Sequence, residues 1–209
     1  MKYVVINVLL TKFRSRFNNI LGAIGKLMVK TGVEPVYLTF SSLVFALIGL
    51  ITIMFYRSII LYILFLILSS LMDSLDGYVA RLMNKVSARG AFLDSTIDRV
   101  SDAVFIYSLV YIGFNHVEVV FLLIVSYLIS YIRARSESLG LSIEGVGLIE
   151  RSERIIFILA IFTTYLLNEL IPRIIFYILL ILSTVTLIHR FIYAYVKLGK
   201  PPHRENSSS

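Results

Sequence analysis

Residues 59–98 read IILYILFLILSSLMDSLDGYVARLMNKVSARGAFLDSTID. The first half is a nearly unbroken apolar run, and its far end carries Asp73 and Asp76. A short basic loop follows, and the next apolar stretch opens with Asp94 and Asp98. A helix crossing a bilayer needs about 20 predominantly apolar residues. Ser58–Val79 reaches that length only by including two acids. An aspartate at a bilayer centre costs roughly 2.5–3.5 kcal/mol on insertion scales, less toward the interface. Four aspartates brought together also repel one another. The stretch therefore predicts a membrane helix that ends in carboxylates awaiting a cation.

The rest of the 209 residues extends this pattern. Apolar residues make up 58% of the chain and the mean hydropathy is +0.86. A soluble domain is typically about 45–50% apolar, so lipid is the expected solvent for much of the surface. Six spans are predicted: Val36–Tyr56, Ser58–Val79, Leu93–Phe114, Val117–Ile132, Ile155–Ile171 and Ile174–Tyr195. The expected fold is an all-α integral membrane domain of six transmembrane helices over 34–198. An amphipathic interfacial segment over 1–33 precedes it, with its helix at Asn7–Lys30, and a disordered tail follows over 199–209. Met1–Leu10 is short and runs into basic residues, so it does not read as a cleavable signal. Cysteine is absent, which excludes disulfides and thiol chemistry.

The net charge of +7 does not point to nucleic acid, because the basic residues lie between the spans. With the amino terminus inside, eighteen of the 20 Lys and Arg fall on the cytoplasmic side, and only Arg57 and Arg173 lie opposite. That bias predicts both termini in the cytoplasm of a multi-pass cell-membrane protein.

Spacings of three (Asp73, Asp76) and four (Asp94, Asp98) put each pair on one helix face. Two helices joined by a short loop can run antiparallel and pool four carboxylates. Oxygen ligands of this kind suit Mg²⁺ or Mn²⁺, and two ions would clamp both ends of a phosphoryl displacement. Asp94 is also placed to cap the third span. Gly77 and Ala80 leave room beside the acids, either for a nucleotide or for a neighbouring backbone.

These residues form the pattern Asp73-x-x-Asp76-Gly77-x-x-Ala80-Arg81, then Gly90-x-x-x-Asp94-x-x-x-Asp98. It resembles the signature of the CDP-alcohol phosphotransferase family at every position. The resemblance implies that Asp73, Asp76 and Asp94 hold metal ions and that Asp98 joins a second one. Asp98 would also take the proton of the acceptor hydroxyl. It further implies a CDP-lipid site built from Asp73, Gly77, Ala80, Arg81, Ser87 and, within the entrance segment Glu34-Pro35-Val36-Tyr37-Leu38-Thr39, the residues Glu34, Pro35, Val36 and Tyr37. Val36 stands where related proteins often carry Asn or Asp. CMP would be the leaving group, and homodimers are the family tendency.

Arginines bear on the acceptor. Arg133 and Arg135 end the fourth span, Arg151 and Arg154 precede the fifth, and Arg190 lies within the last. A free alcohol does not require converging guanidinium groups, whereas a phosphorylated one does. If the helix continues through Arg133 and Arg135, the two face nearly opposite sides. Arg190 interrupts an apolar span and so needs a partner. The segments around Arg133, Arg135, Arg154 and Arg190 resemble the branch of the family that joins a CDP-lipid to inositol phosphate, where Lys usually stands at the Arg133 position. Glycerophosphate as acceptor, or inositol phosphate joined to CDP-inositol, are the enzymatic alternatives. A cation transporter is the alternative from another class. The donor is CDP-archaeol or CDP-diacylglycerol, with the Cys- and Trp-free, Ile- and Tyr-rich composition leaning toward the first.

Overall fold

The computed structural model describes residues 21–199. Residues 1–20 and 200–209, which include most of the expected interfacial helix and nearly all of the tail, lie outside the described residues. Every regular element described is helical: α1 (21–30), α2 (Pro35–Phe55), α3 (Ile59–Leu82), α4 (Ala88–Tyr107), α5 (His116–Ser138), α6 (Arg151–Tyr165) and α7 (Leu170–Leu198), with a 3₁₀ turn at Ser108–Ile112. The chain divides into two compact units, with the boundary after Val104.

In the first unit α2 and α3 pack as an antiparallel pair. Pro35 opens α2 in its first turn, where a missing N–H is harmless. Arg57, with φ of 53°, turns the chain, and the Ser58 hydroxyl accepts from Leu61 N–H to start α3. In lipid, apolar side chains gain little by leaving their surroundings, so close approach and hydrogen bonds hold helices together. Both occur here. Gly49 lets Phe65 and Tyr62 close in, a Cβ there meeting Phe65 Cβ at 3.3 Å. Ser69 donates to the Ser42 carbonyl at 2.7 Å. Phe40, Val44, Leu47, Leu64 and Ile67 face outward. The α1 helix lies on the ends of this pair nearest Asp76. Leu21 joins Leu38, Leu75 and Val79 in a buried cluster, with Ile24 and Met28 against it, while Lys26 and Lys30 are exposed.

In the second unit α5, α6 and α7 bury Leu122, Ile129, Ile158, Ile161, Phe162, Phe176 and Leu179, and the Phe114 and Phe176 rings lie 4.6 Å apart.

Four helices are long and apolar enough to cross a membrane: α2, α3, α5 and α7. The other two expected spans fall short among the described residues for different reasons. The α4 helix carries Arg89, Asp94, Asp98, Arg99 and Asp102 within 20 residues, and α6 is only 15 residues long. Helix ends also differ from expectation. The fourth span runs past Ile132 to Ser138 because the polar residues there continue the helix rather than stop it. The fifth ends at Tyr165 instead of Ile171. The chain turns at 166–169, where Asn168 Oδ1 accepts from Leu170 N–H at 2.6 Å, and α7 restarts with Pro172 in its first turn.

Candidate active site

Asp73 and Asp76 stand on the last turns of α3, with Asp94 on the second turn of α4 and Asp98 at its middle. Met83–Ser87 joins the two helices, with Asn84 at a φ of 54°. Ser87 accepts from Gly90 N–H at 3.1 Å, so its hydroxyl caps α4. That use of Ser87 fixes where α4 begins, and thereby the register of Asp94 and Asp98 relative to Asp73.

The structure brings three of the four predicted carboxylates together. Oxygens of Asp73, Asp94 and Asp98 all lie within 4.8 Å of one another, and the three side chains are half-buried. Asp76 is not in that group. Three residues along a helix leave two side chains about 60° apart around the axis, and Asp76 points toward α2. There it is 4% exposed, accepts from the Thr39 hydroxyl at 2.6 Å through Oδ2, and accepts from Gly77 N–H through Oδ1. Each oxygen keeps a further lone pair. The donor set of the three grouped residues is all oxygen and anionic, which fits a hard divalent cation and not a soft one. Arg99 approaches Asp98 at 3.8 Å while donating to the Ser95 carbonyl at 2.7 Å. Asp102, one turn beyond Asp98, is buried.

Around the acids, the predicted nucleotide contacts separate into open and engaged. A Cβ on Gly77 would meet the flexible end of Arg81 at 3.5 Å, so this glycine faces space rather than a packed backbone. Arg81 is exposed and Ala80 half-buried. Glu34 pairs with Lys85 at 3.0 Å, Pro35 is half-buried, and Val36 and Tyr37 are exposed on the first turn of α2. Thr39 closes the entrance segment, and its contact with Asp76 is the one that the sequence did not reveal. Its hydrogen bond joins residues 37 apart, and only the pairing of α2 with α3 creates it.

The five arginines all belong to the second unit. Arg133 pairs with Glu137 at 2.9 Å, whereas Arg135, facing away, donates to Ser138 at 3.4 Å and is exposed. Arg151 is half-buried at the start of α6, and Arg154 is 3% exposed one turn later. A reciprocal capping box between Glu150 and Glu153 starts that helix. Arg190 is also 3% exposed. Its Nε donates to the Val146 carbonyl at 2.6 Å and its Nη1 to the Ile129 carbonyl at 3.4 Å, and Nη2 lies 3.6 Å from Glu150. The partners that a charge inside an apolar helix requires are therefore the α5–α6 loop and the α5 carbonyl of Ile129.

Long apolar helices, one ending in a carboxylate group fit for a hard cation, define a helical protein of membrane type with a candidate divalent-metal site. The sequence model of the CDP-alcohol phosphatidyltransferase family matches residues 33–191, and the chain belongs to that family. It is 38% identical over 183 residues to an archaetidylinositol phosphate synthase of Pyrococcus horikoshii, covering 87% of this chain and 94% of that one. Its fold resembles the crystal structure of Mycobacterium tuberculosis phosphatidylinositol phosphate synthase with CDP-DAG bound. The TM-score is 0.74 at 26% identity, covering 85% of this chain and 94% of that one. The same enzyme in complex with manganese and citrate matches with a TM-score of 0.73 at 27% identity, covering 84% and 88%.

Proposed function

We propose that this chain transfers the phosphatidyl-type group of a CDP-lipid to inositol phosphate and releases CMP. The observation that carries this reading is the meeting of the Asp73, Asp94 and Asp98 carboxylates within the family signature. The Pyrococcus horikoshii relative and the CDP-DAG-bound structure support the lipid substrate and the acceptor.

In the proposed reaction the acceptor hydroxyl oxygen attacks the lipid-side phosphorus of the pyrophosphate. The bond from that phosphorus to the bridging oxygen breaks, and CMP leaves with the bridging oxygen and its electron pair. Asp98 takes the hydroxyl proton, a role that requires hydrogen-bond reach to it. Asp73, Asp94 and Asp98, with Asp76 beside them on α3, would hold Mg²⁺ or Mn²⁺, as two ions. Bound divalent cations supply charge stabilisation to the pyrophosphate and the departing group. Gly77 and Ala80 leave space for the nucleotide, Arg81 meets the pyrophosphate, and Glu34, Pro35, Val36, Tyr37 and Ser87 border the CDP site. Arg133, Arg135, Arg151, Arg154 and Arg190 serve the acceptor phosphate, for which guanidinium forks are well shaped.

The membrane arrangement proposed with it is six spans, with α4 and α6 crossing as well as the four longer helices, both termini cytoplasmic and α1 at the interface. The protein acts as a homodimer. CDP-archaeol is the proposed donor ahead of CDP-diacylglycerol, in line with the archaeal relative.

The test offers purified protein and magnesium each CDP-lipid with inositol phosphate, inositol or glycerophosphate, and reads CMP. Turnover with inositol phosphate alone is expected. Turnover with free inositol at an equal rate would remove the arginine argument, and a preference for glycerophosphate would replace the acceptor.

A further inference from the structure

The segment between α5 and α6 is laid on α7 by two residues one turn apart. Thr186 is fully buried, and its hydroxyl has used its whole bonding capacity. It accepts from Leu148 N–H at 3.1 Å and Ile149 N–H at 3.2 Å, and donates to the Leu182 carbonyl at 2.8 Å. Four residues on, Arg190 holds the Val146 carbonyl at 2.6 Å. Gly147 lies between them with φ of +120°, and a Cβ there would come within 2.5 Å of Thr186 Cγ2 and 3.4 Å of Arg190 Nε. Only glycine allows the loop to lie this close. The clamp ends at Ile149, and the next residues are the Glu150 cap and Arg151, the first residue of α6.

We propose that Thr186 is a positioning residue for the acceptor: by pinning the two peptide groups ahead of α6, it sets where Arg151 and Arg154 present their guanidinium groups. The proposal deepens the reading of those arginines as acceptor-phosphate ligands and rests on it for its kinetic consequence, though not for the clamp itself. Thr186 touches no substrate in this scheme. Its side chain lies under the loop, and its influence passes through the Leu148 and Ile149 amides into the first turn of α6. A hydroxyl that accepts from the buried Ile149 N–H and the part-buried Leu148 N–H has no apolar replacement, because a buried donor left without an acceptor forfeits its desolvation.

Two measurements test this, the first on the unaltered protein. In lipid nanodiscs, the Leu148 and Ile149 amides should exchange hydrogen as slowly as amides within α7. Fast exchange there overturns the clamp, whatever the enzyme's acceptor proves to be. The second compares Thr186→Val, Thr186→Ala and Thr186→Ser. Val and Ala should raise KM for inositol phosphate about tenfold or more, an amount equal to about 1.4 kcal/mol. KM for the CDP-lipid and kcat at saturating acceptor should stay within about threefold. Ser, which keeps the hydroxyl, should restore KM. Equal losses for both substrates, unchanged acceptor KM, or no rescue by Ser would each overturn the positioning role. A wild type with slow amides but no use of inositol phosphate would leave the clamp standing and remove only the acceptor reading.

Discussion

Thr39→Val replaces the hydroxyl that donates to Asp76 with a methyl of the same shape. The hydrogen bond is 2.6 Å long, and its two side chains are 5% and 4% exposed, so water cannot easily stand in for the lost donor. Hydrogen bonds to charged groups contribute about 1.5–3 kcal/mol. With Asp76 in its proposed role as a metal ligand, the ionised, correctly turned carboxylate becomes harder to present by that amount. The expected result is a rise of about 10- to 150-fold in the metal concentration giving half-maximal CMP release. The Gly77 N–H still holds the other oxygen, so the effect should sit nearer the lower figure. The assay titrates Mg²⁺ or Mn²⁺ against CMP release at saturating CDP-lipid, alongside direct Mn²⁺ binding by electron paramagnetic resonance. Thr39→Ser should recover most of the loss. A Val variant whose metal dependence stays within twofold of wild type would refute the claim that Thr39 serves the metal through Asp76.

Asp98→Asn should lower CMP release by about 10²- to 10⁴-fold, the usual contribution of a positioned acid or base, while circular dichroism and the unfolding temperature remain near wild type. Gly77→Ala should leave the fold intact or raise its stability by up to about 1 kcal/mol, since alanine favours helix and its Cβ faces space; KM for the CDP-lipid should nevertheless increase, and an unchanged KM would mean that the open face is not the nucleotide's. Lys85→Ala breaks an exposed pair with Glu34 and should shift stability by no more than about 1 kcal/mol, measurable by thermal unfolding in detergent.

Much of this architecture was legible because lipid imposes simple rules. The apolar run before Asp73 had to be a helix, and the run did appear as α3. Charges were less transparent. Arg133 and Arg135 looked like the end of a span, yet helical geometry carried α5 through them and turned them to different sides, as their spacing of two required. Pro172 is the local signal for the α6–α7 turn: a proline tolerated in a first turn marks a helix start and places that turn at 166–169. The aspartate cluster was readable as a set but not in its division. Asp76 turns from Asp73 toward Thr39, and that contact arises from pairing across 37 residues. The bonds of Thr186 and Arg190 to the α5–α6 loop likewise span 37 to 44 residues, and no local pattern announces them.

Gly22 and Gly25 cradle the ring of Tyr78: a Cβ on Gly25 would fall 2.5 Å from Tyr78 Cδ1, and one on Gly22 would fall 3.3 Å from its hydroxyl. Tyr78 is two residues from Asp76. A purification handle or fusion partner attached upstream can therefore act as a lever, since prying α1 from its seat unloads the ring and disturbs the backbone that carries the acids. Tags are better placed at the carboxyl end, and an inactive amino-terminal fusion should be re-tested after cleavage before its catalytic residues are blamed.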